Sequence, residues 1–582
     1  MNRLPPLVAV VAALLAGPVA AAELTVDLDT VLKPVDHAAS GSLYGLADEG
    51  WPADKWIASI HPRNFTQMAP GGGQLPNGET SPVGDALTVA PIAARHGASI
   101  MVRMPDVFPS FPYVWQGDAF WIAGVKAIAR AVVASEAPNI YAYEIWNEPD
   151  WDWKPEWGDF DAMWAATFHT IRGIDPSRPI MGPSAAAWNA DWFRRFFTSA
   201  IASGTVPQIV SWHELDPAQE GDVGAHVAAY RALEKELGVG PLPISINEYG
   251  APRDAAVPGA LTRMVARLER AGVDTADLAF WHRPGRLADL LVPIEGGRGP
   301  ARDAVPTGAF WVYAWYGEMT GKMVAVTPSA STETSLDGFA SFDPLTNTAR
   351  IVFGGEAGNH TLTVTGLGGF GPTVTAQISV THWTGTDGSE ATPEALSAAT
   401  LPVVDGAVSI HVTALAGDAY SVVLTPPEIA APFTPTPQKF SERLEAEAAA
   451  HAGARVFHIS MSPGNFFANT VSGNSYVGLL DRKEVSLTFT ASVPASGPYQ
   501  LSFGYSNGLA DPALYQLSID GAAPQPVSFP PTQGRELISR ATIVVPLAAG
   551  THTIALSAGP NSPKGSLLPS LLEIDYLDVI AD

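Results

Sequence analysis

Between about residue 40 and residue 320, short apolar runs alternate eight times with amphipathic stretches. Strands are expected at Ser42–Leu46, Asn64–Met68, Ser99–Arg103, Ile140–Trp146, Ile180–Pro183, Gln208–Trp212, Pro243–Asn247 and Leu278–Trp281. Helices are expected between them, at Phe120–Ala137, Phe160–Arg172, Ala190–Ala202, Ala225–Leu237, Val257–Ala271 and Gly308–Met319. In the stretch from Val257, the residues Leu261, Met264, Val265 and Leu268 recur on one side at the helical period. Arg263, Arg267 and Arg270 fall off that side. Eight strand–helix repeats over roughly 250–280 residues predict a (β/α)8 TIM barrel, an α/β fold.

Beyond Thr320 the helical period stops and short alternating runs replace it. Examples are Ala349–Phe353, His360–Val364, Thr373–Val380, Val408–Val412 and Ala419–Leu424. Residues 321–425 therefore read as a β-sandwich packed on a barrel of residues 23–320. A proline-rich linker follows over 426–439, and an all-β unit fills 440–582. Residues 1–22 have the form of a signal peptide: Arg3, an apolar stretch from Leu7 to Ala16, and small residues at 20–22. The expectation is a secreted protein, extracellular or periplasmic, without membrane attachment once that segment is removed. The chain has no cysteine, so neither disulfides nor thiolate chemistry enter. The formal net charge of -25 argues against nucleic acid as a partner.

Two segments carry the chemistry. Ile145-Trp146-Asn147-Glu148-Pro149-Asp150 ends the fourth strand, and Ile246-Asn247-Glu248-Tyr249-Gly250 ends the seventh. Each displays one glutamate where a buried strand breaks into a loop. Two carboxyl groups at the carboxyl ends of separate parallel strands can face one another across a cleft. One can then protonate a leaving oxygen while the other attacks a sugar carbon. The acid needs burial beside negative charge, and the nucleophile needs hydrogen-bond donors.

Trp146-Asn147-Glu148-Pro149 and Asn247-Glu248-Tyr249-Gly250 resemble the acid/base and nucleophile motifs of the clan A retaining glycoside hydrolases. Within the clan the chain looks closest to glycoside hydrolase family 39 and its relatives, though Tyr249 stands where that family more often has tryptophan. The resemblance implies Glu148 as acid/base, Glu248 as nucleophile and Asn147 as the partner of a sugar 2-hydroxyl. It implies a poly- or oligosaccharide substrate, β-linked or of α-L-arabino type, and no cofactor for catalysis.

Other strand ends supply candidates for binding substrate. His213 follows the sixth strand and can orient a catalytic glutamate; its neighbour Glu214 is a rival carboxylate. Trp281 follows the eighth strand and would form an apolar platform under the sugar. Tyr44, Arg103 and Trp188 also sit near strand ends. Trp146, Trp151, Trp153 and Trp157 crowd the first motif, where some can stack on sugars.

The unit from residue 440 resembles carbohydrate-binding modules of families 35 and 6. Its marks are Arg443-Leu-Glu-Ala-Glu-Ala448, Asn474–Asp481 and Glu573–Val579. Such modules often hold a structural Ca2+ between first and last strands. Glu445 and Glu447, alternating on one strand face, and Asp575 are the candidate ligands. A second reading stays open: a non-catalytic carbohydrate-binding or scaffold protein on a degenerate barrel.

Overall fold

The computed structural model describes residues 22–75, 81–216, 222–281, 284–293, 304–330, 332, 335–383, 390–415, 417–436, 439–459, 471–472, 475–480, 485–509, 511–532, 538–558 and 572–582. The expected signal peptide, apart from Ala22, lies outside them. No helix among the described residues is long and apolar enough to cross a membrane.

The first strand, β1 (Glu23–Pro34), is not part of the barrel. The barrel is a closed parallel sheet of β2 (Gly41–Leu43), β3 (Asn64–Met68), β4 (Ser99–Arg103), β5 (Ile140–Glu144), β6 (Ile180–Ala185), β7 (Ile209–Glu214), β8 (Ile244–Tyr249) and β9 (Thr275–Leu278). The pairing of β2 with β9, Gly41 opposite Asp277, closes it. Around it run α1 (Asp54–Ile60), α2 (Ala86–Arg95), α3 (Asp118–Ser135), α4 (Phe160–Arg172), α5 (Ala190–Ser203), α6 (Val223–Leu237), α7 (Pro258–Ala271) and α8 (Gly308–Gly317). The helix ends follow local chemistry. Asp85 accepts hydrogen bonds from the backbone N–H groups of Leu87 and Thr88 to start α2, and Asn189 accepts one from Trp192 to start α5.

Strand alternation sorts the barrel residues. Met101, Ala142, Met181 and Ile209 form one apolar cluster. Two residues further along the same strands, Arg103, Glu144 and Ser211 point the same way. The lumen is therefore apolar at this level and charged toward the carboxyl ends of the strands, where the sites of TIM barrels lie.

The eighth barrel strand differs from the expectation at Leu278–Trp281. It is Thr275–Leu278, because its inward residue is Asp277, which accepts from Asn64 Nδ2 and Thr66 Oγ1, both at 2.5 Å. A strand holding a buried aspartate carries no continuous apolar run to read.

Before α8 a short antiparallel pair forms, β10 (Leu291–Pro293) with β11 (Ala304–Pro306), and after α8 come the sandwich strands. These are β12 (Lys322–Thr327), β13 (Asp337–Asp343), β14 (Thr348–Gly354), β15 (Gly358–Thr365), β16 (Thr373–Thr381), β17 (Glu394–Pro402), β18 (Val408–Ala414) and β19 (Ala419–Thr425). They form one nine-stranded sheet with β1, in the order β17-β16-β19-β14-β13-β12-β1-β15-β18. Leu24, Val26 and Leu28 of β1 join its buried core. The assignment of residues 23–320 to the barrel is thus corrected at its start. The alternation of β1 is legible, but its partners, β12 and β15, lie some 300 residues away in sequence.

The sandwich and barrel share a buried interface. Phe339, Val352 and Ala419 belong to the same apolar cluster as Leu261, Val265 and Tyr316. Arg270 of α7 forks onto Asp337 of β13 at 3.1 and 2.7 Å.

The unit from residue 440 has two sheets, of six and five strands, over its own core. Its first strand, Ser441–Glu445, pairs antiparallel with its last, Glu573–Ala581. It also leans on the rest of the chain. Val257 and Ala260 by the start of α7, Trp383 after β16, and Ile538 and Tyr576 form one buried cluster. The proline-rich segment is pinned as well: Thr436 donates its N–H to the Ala395 carbonyl at 2.7 Å.

Candidate active site

Glu148 lies four residues past the end of β5, and Glu248 is the penultimate residue of β8. Glu148 sits at φ 52, a backbone conformation that costs a non-glycine residue on the order of 1–3 kcal/mol. Three hydrogen bonds hold it there. Its N–H donates to the Ser184 carbonyl at 2.8 Å, and its carbonyl accepts from Asp152 at 2.7 Å and Trp151 at 3.1 Å. Gly250, at φ 90, lets the chain turn sharply out of β8 behind Glu248.

The two carboxyl groups meet across His213 of β7. His213 Nδ1 is 2.9 Å from Glu148 Oε1, and its Nε2 is 3.7 Å from Glu248 Oε1. Carboxylate oxygens of Glu148 and Glu248 and a ring nitrogen of His213 all lie within 4.8 Å of one another. That separation suits direct attack on a sugar carbon; inverting chemistry needs about 6.5–9.5 Å to admit a water. Burial works against a charge on His213, but Glu248 and the hydrogen-bonded Glu148 outweigh it and hold the imidazole above its ordinary pKa.

Arg103, at the end of β4, forms the floor. Its Nη1 donates to Glu248 Oε1 at 2.6 Å and its Nε to Glu144 Oε2 at 2.9 Å. Burial opposes the guanidinium charge, yet Glu144 and Glu248 raise its pKa well above the usual value. Asn147 is almost wholly buried, and its Oδ1 has no protein partner among the described residues, so it is free to accept from a ligand. Asp106, in the turn after β4, accepts from the hydroxyls of Tyr44 at 2.6 Å and Tyr113 at 3.2 Å. Burial pushes the Asp106 carboxyl up to about 7.

No protein-family model matches the chain. A 3-O-alpha-D-galactosyl-alpha-L-arabinofuranosidase of Bifidobacterium longum subsp. longum is 25% identical over 87% of this chain and 50% of its own length. A 3-O-beta-L-arabinopyranosyl-alpha-L-arabinofuranosidase of Bifidobacterium pseudocatenulatum is 26% identical over 87% of this chain and 58% of its own. The chain thus spans between half and three fifths of these curated relatives. The solved structure of N2152 from Neocallimastix frontalis is 30% identical, with a TM-score of 0.65, over 70% of this chain and 100% of that one. By these likenesses the chain is similar in sequence to α-L-arabinofuranosidases, which are glycoside hydrolases.

The barrel brings together Glu148, Glu248, Asn147, His213 and Arg103. It gives several other candidates different work. Arg103 was expected to touch substrate, but it is buried and engaged by two carboxylates. Tyr44 is buried too, its ring edge-on to Phe280 at 5.0 Å and its hydroxyl taken by Asp106. Trp188 packs on Phe193, Trp212 and Tyr230 with centroids at 4.7, 5.4 and 6.1 Å, behind the lumen. Glu214 follows His213 on the same strand, so alternation turns it outward. There it accepts from Trp212 Nε1 at 2.7 Å and pairs with His226 of α6 at 2.8 Å. It is no rival to the facing pair. Trp281 stands half-buried past β9, with its N–H on Asp289. Of the crowded tryptophans, Trp146 is wholly buried among Phe108, Tyr113, Trp115, Trp121 and Trp153. Trp151 is 53% exposed beside Phe111 and is the one presented to solvent.

The sequence reading missed Glu144, Asp106 and the part played by Asn247. One signal was available for Glu144. A glutamate inside an apolar barrel strand must meet a cation, and Arg103 ends the neighbouring strand.

In the C-terminal unit, Glu445 ends the first strand, but Glu447 lies in a 3-10 turn over 446–448 and not on the strand face expected for it. Asp575 accepts from the Ser472 N–H at 2.9 and 3.0 Å, and Glu445 Oε1 accepts from Ser472 Oγ at 2.8 Å. Glu445 Oε2 and Glu447 Oε2 are buried without a partner among the described residues. Burial foremost, and then mutual repulsion, raise the carboxyl pKa of Asp575 well above its ordinary value and that of Glu445 as well. Arg443 partly offsets the shift at Asp575 and Glu445, and the unpartnered oxygens of Glu445 and Glu447 are hard donors of the kind Ca2+ takes.

Proposed function

We propose that this chain is a secreted retaining hydrolase of α-L-arabinofuranosidic bonds. The observation that carries the reading is the facing pair of Glu148 and Glu248, with oxygens within 4.8 Å. Glu248 attacks the anomeric carbon while Glu148 protonates the departing oxygen, giving a covalent glycosyl-enzyme. Glu148 then takes a proton from water, which displaces Glu248. His213, bonded to Glu148, keeps that carboxyl aimed at the leaving oxygen. Asn147 offers its free Oδ1 to a sugar hydroxyl. The arabinofuranosidic bond is what the names of the two curated relatives share. In this reading the C-terminal unit binds the polysaccharide, and residues 1–22 direct export.

A panel of aryl glycosides tests the sugar. The kcat/KM for an α-L-arabinofuranoside is expected to exceed that for the β-D-xylopyranoside by about tenfold or more, as a shape-selective pocket permits. Equal rates across pentoses and hexoses would contradict the assignment.

The second proposal is that Glu445, Glu447 and Asp575 hold a structural Ca2+. A ligand at 100 times its Kd adds about 2.7 kcal/mol to the folded state. Calorimetry should show Tm rising with Ca2+ and falling with chelator. In Asp575→Asn both responses should vanish; a Tm indifferent to Ca2+ in the parent protein would overturn the assignment.

A further inference from the structure

Glu144 is a wholly buried carboxylate beside the site and has no place in the double displacement. It lies in the lumen, with 0% exposure, two residues beyond Ala142 on β5. Both of its oxygens are engaged. Oε2 accepts from Arg103 Nε at 2.9 Å, and Oε1 accepts from Asn247 Nδ2 at 2.7 Å. Each partner leads directly to Glu248. Arg103 donates its other arm to Glu248 Oε1 at 2.6 Å, and Asn247 precedes Glu248 in the chain. Asn247 is also steadied by Ser184 Oγ at 3.2 Å.

We propose that Glu144 is a positioning residue that fixes Glu248 through Arg103 and Asn247 and shares the guanidinium charge with it. The proposal rests on the reading of Glu248 as nucleophile. Its physical content has two parts. The fork of a guanidinium is rigid, so anchoring Nε on Glu144 sets where Nη1 can reach. A carboxylate alone with one buried guanidinium would be held tightly and attack poorly, whereas one sharing that charge with a second carboxylate keeps more of its nucleophilicity. The charged and titratable groups around Glu144 are Arg103 on β4, Asp106 and Tyr113 beyond it, His213 on β7, Glu248 on β8 and Asp277 on β9. Of these only Arg103 and His213 bring positive charge. Burial raises the Glu144 carboxyl above its ordinary pKa, and the Arg103 guanidinium opposes that shift.

Glutamine at 144 is a sharp probe. Its oxygen can face Arg103 or Asn247, and its amide then confronts the other donor. The substitution also leaves Arg103 to Glu248 alone. The test measures kcat, KM and the pH profile of kcat/KM for the full chain on the best aryl glycoside. For Glu144→Gln, kcat should fall about 10- to 100-fold with KM little changed, as for a group whose loss is felt in the transition state. The acid limb of the profile should move to lower pH, since a carboxylate left alone with a guanidinium keeps its charge further into acid. Glu144→Asp keeps the charge, so its acid limb should stay with the parent while kcat drops. If Glu144→Gln does not fold, Glu144→Asp alone carries the test. A wild-type limb in folded Glu144→Gln, a shifted limb in Glu144→Asp, or parental kcat in either variant would overturn the proposal. Parent protein that turns over no glycoside would instead refute the functional reading and this proposal with it; active parent with unmoved variants refutes this proposal alone.

Discussion

Glu248→Gln is expected to lose turnover by about 10^4-fold or more, the scale of removing a nucleophile from a site that otherwise remains assembled. An amide cannot form the glycosyl-enzyme. It can still accept from Arg103 through its carbonyl, so the floor of the site keeps one of its contacts. The protein should therefore fold, with Tm near that of the parent, and bind substrate. Steady-state kinetics beside calorimetry separate the two effects. Retained activity in folded Glu248→Gln would place the nucleophile elsewhere, and Glu214 is excluded from that part by its outward pairing with His226.

Glu148→Ala should divide substrates by leaving group. Proton donation contributes about 10^2–10^4-fold where the leaving oxygen is a poor one, such as that of a second sugar. An aryl group of low pKa departs without it, so kcat/KM for such a substrate should stay close to the parent value. The second step also loses its base, so the intermediate should accumulate and kcat should fall. Azide, which needs no base, should restore kcat and give a glycosyl azide of retained configuration. Equal losses for good and poor leaving groups would remove Glu148 from the role of acid.

Both catalytic candidates and the barrel were legible because their signals are local. Glu148 and Glu248 each follow or close a strand, and seven of the eight barrel strands overlap the segments expected from the sequence by more than one residue. What stayed hidden is what depends on pairing across long separations. β1 alternates cleanly, yet nothing in its own residues says that it slots between β12 and β15 rather than opening the barrel. β9 was displaced by three residues because Asp277, satisfied by Asn64 and Thr66 of β3, breaks the apolar run. Arg103 and Tyr44 were drawn toward the substrate because strand ends in a barrel line the mouth. Their burial reflects partners, Glu144 and Asp106, that sequence proximity does not reveal. Glu447 was placed on a strand face by its alternation with Glu445, but the chain turns at Ala446–Ala448 before reaching it.

The seating of the C-terminal unit is another such case. The proline-rich segment at 426–439 looks like a tether, and a tether would leave that unit free to roam. Tyr576 instead packs against Trp383 at 5.9 Å, with Arg443 lying 3.8 Å over the Tyr576 ring. Val257 and Ala260, which follow Glu248 across the β8–α7 loop, share that cluster. A polysaccharide held by the C-terminal unit would then be presented from a fixed direction, rather than only at raised local concentration.

The account stands on double displacement at the facing glutamates, and the stereochemistry of the first product tests it most directly. An aryl α-L-arabinofuranoside is turned over in water containing methanol, and the methyl glycoside, which cannot mutarotate, is identified by proton NMR. Two successive inversions at the anomeric carbon, by Glu248 and then by methanol, predict the methyl α-L-arabinofuranoside. The β-anomer would mean a single displacement and would contradict the account.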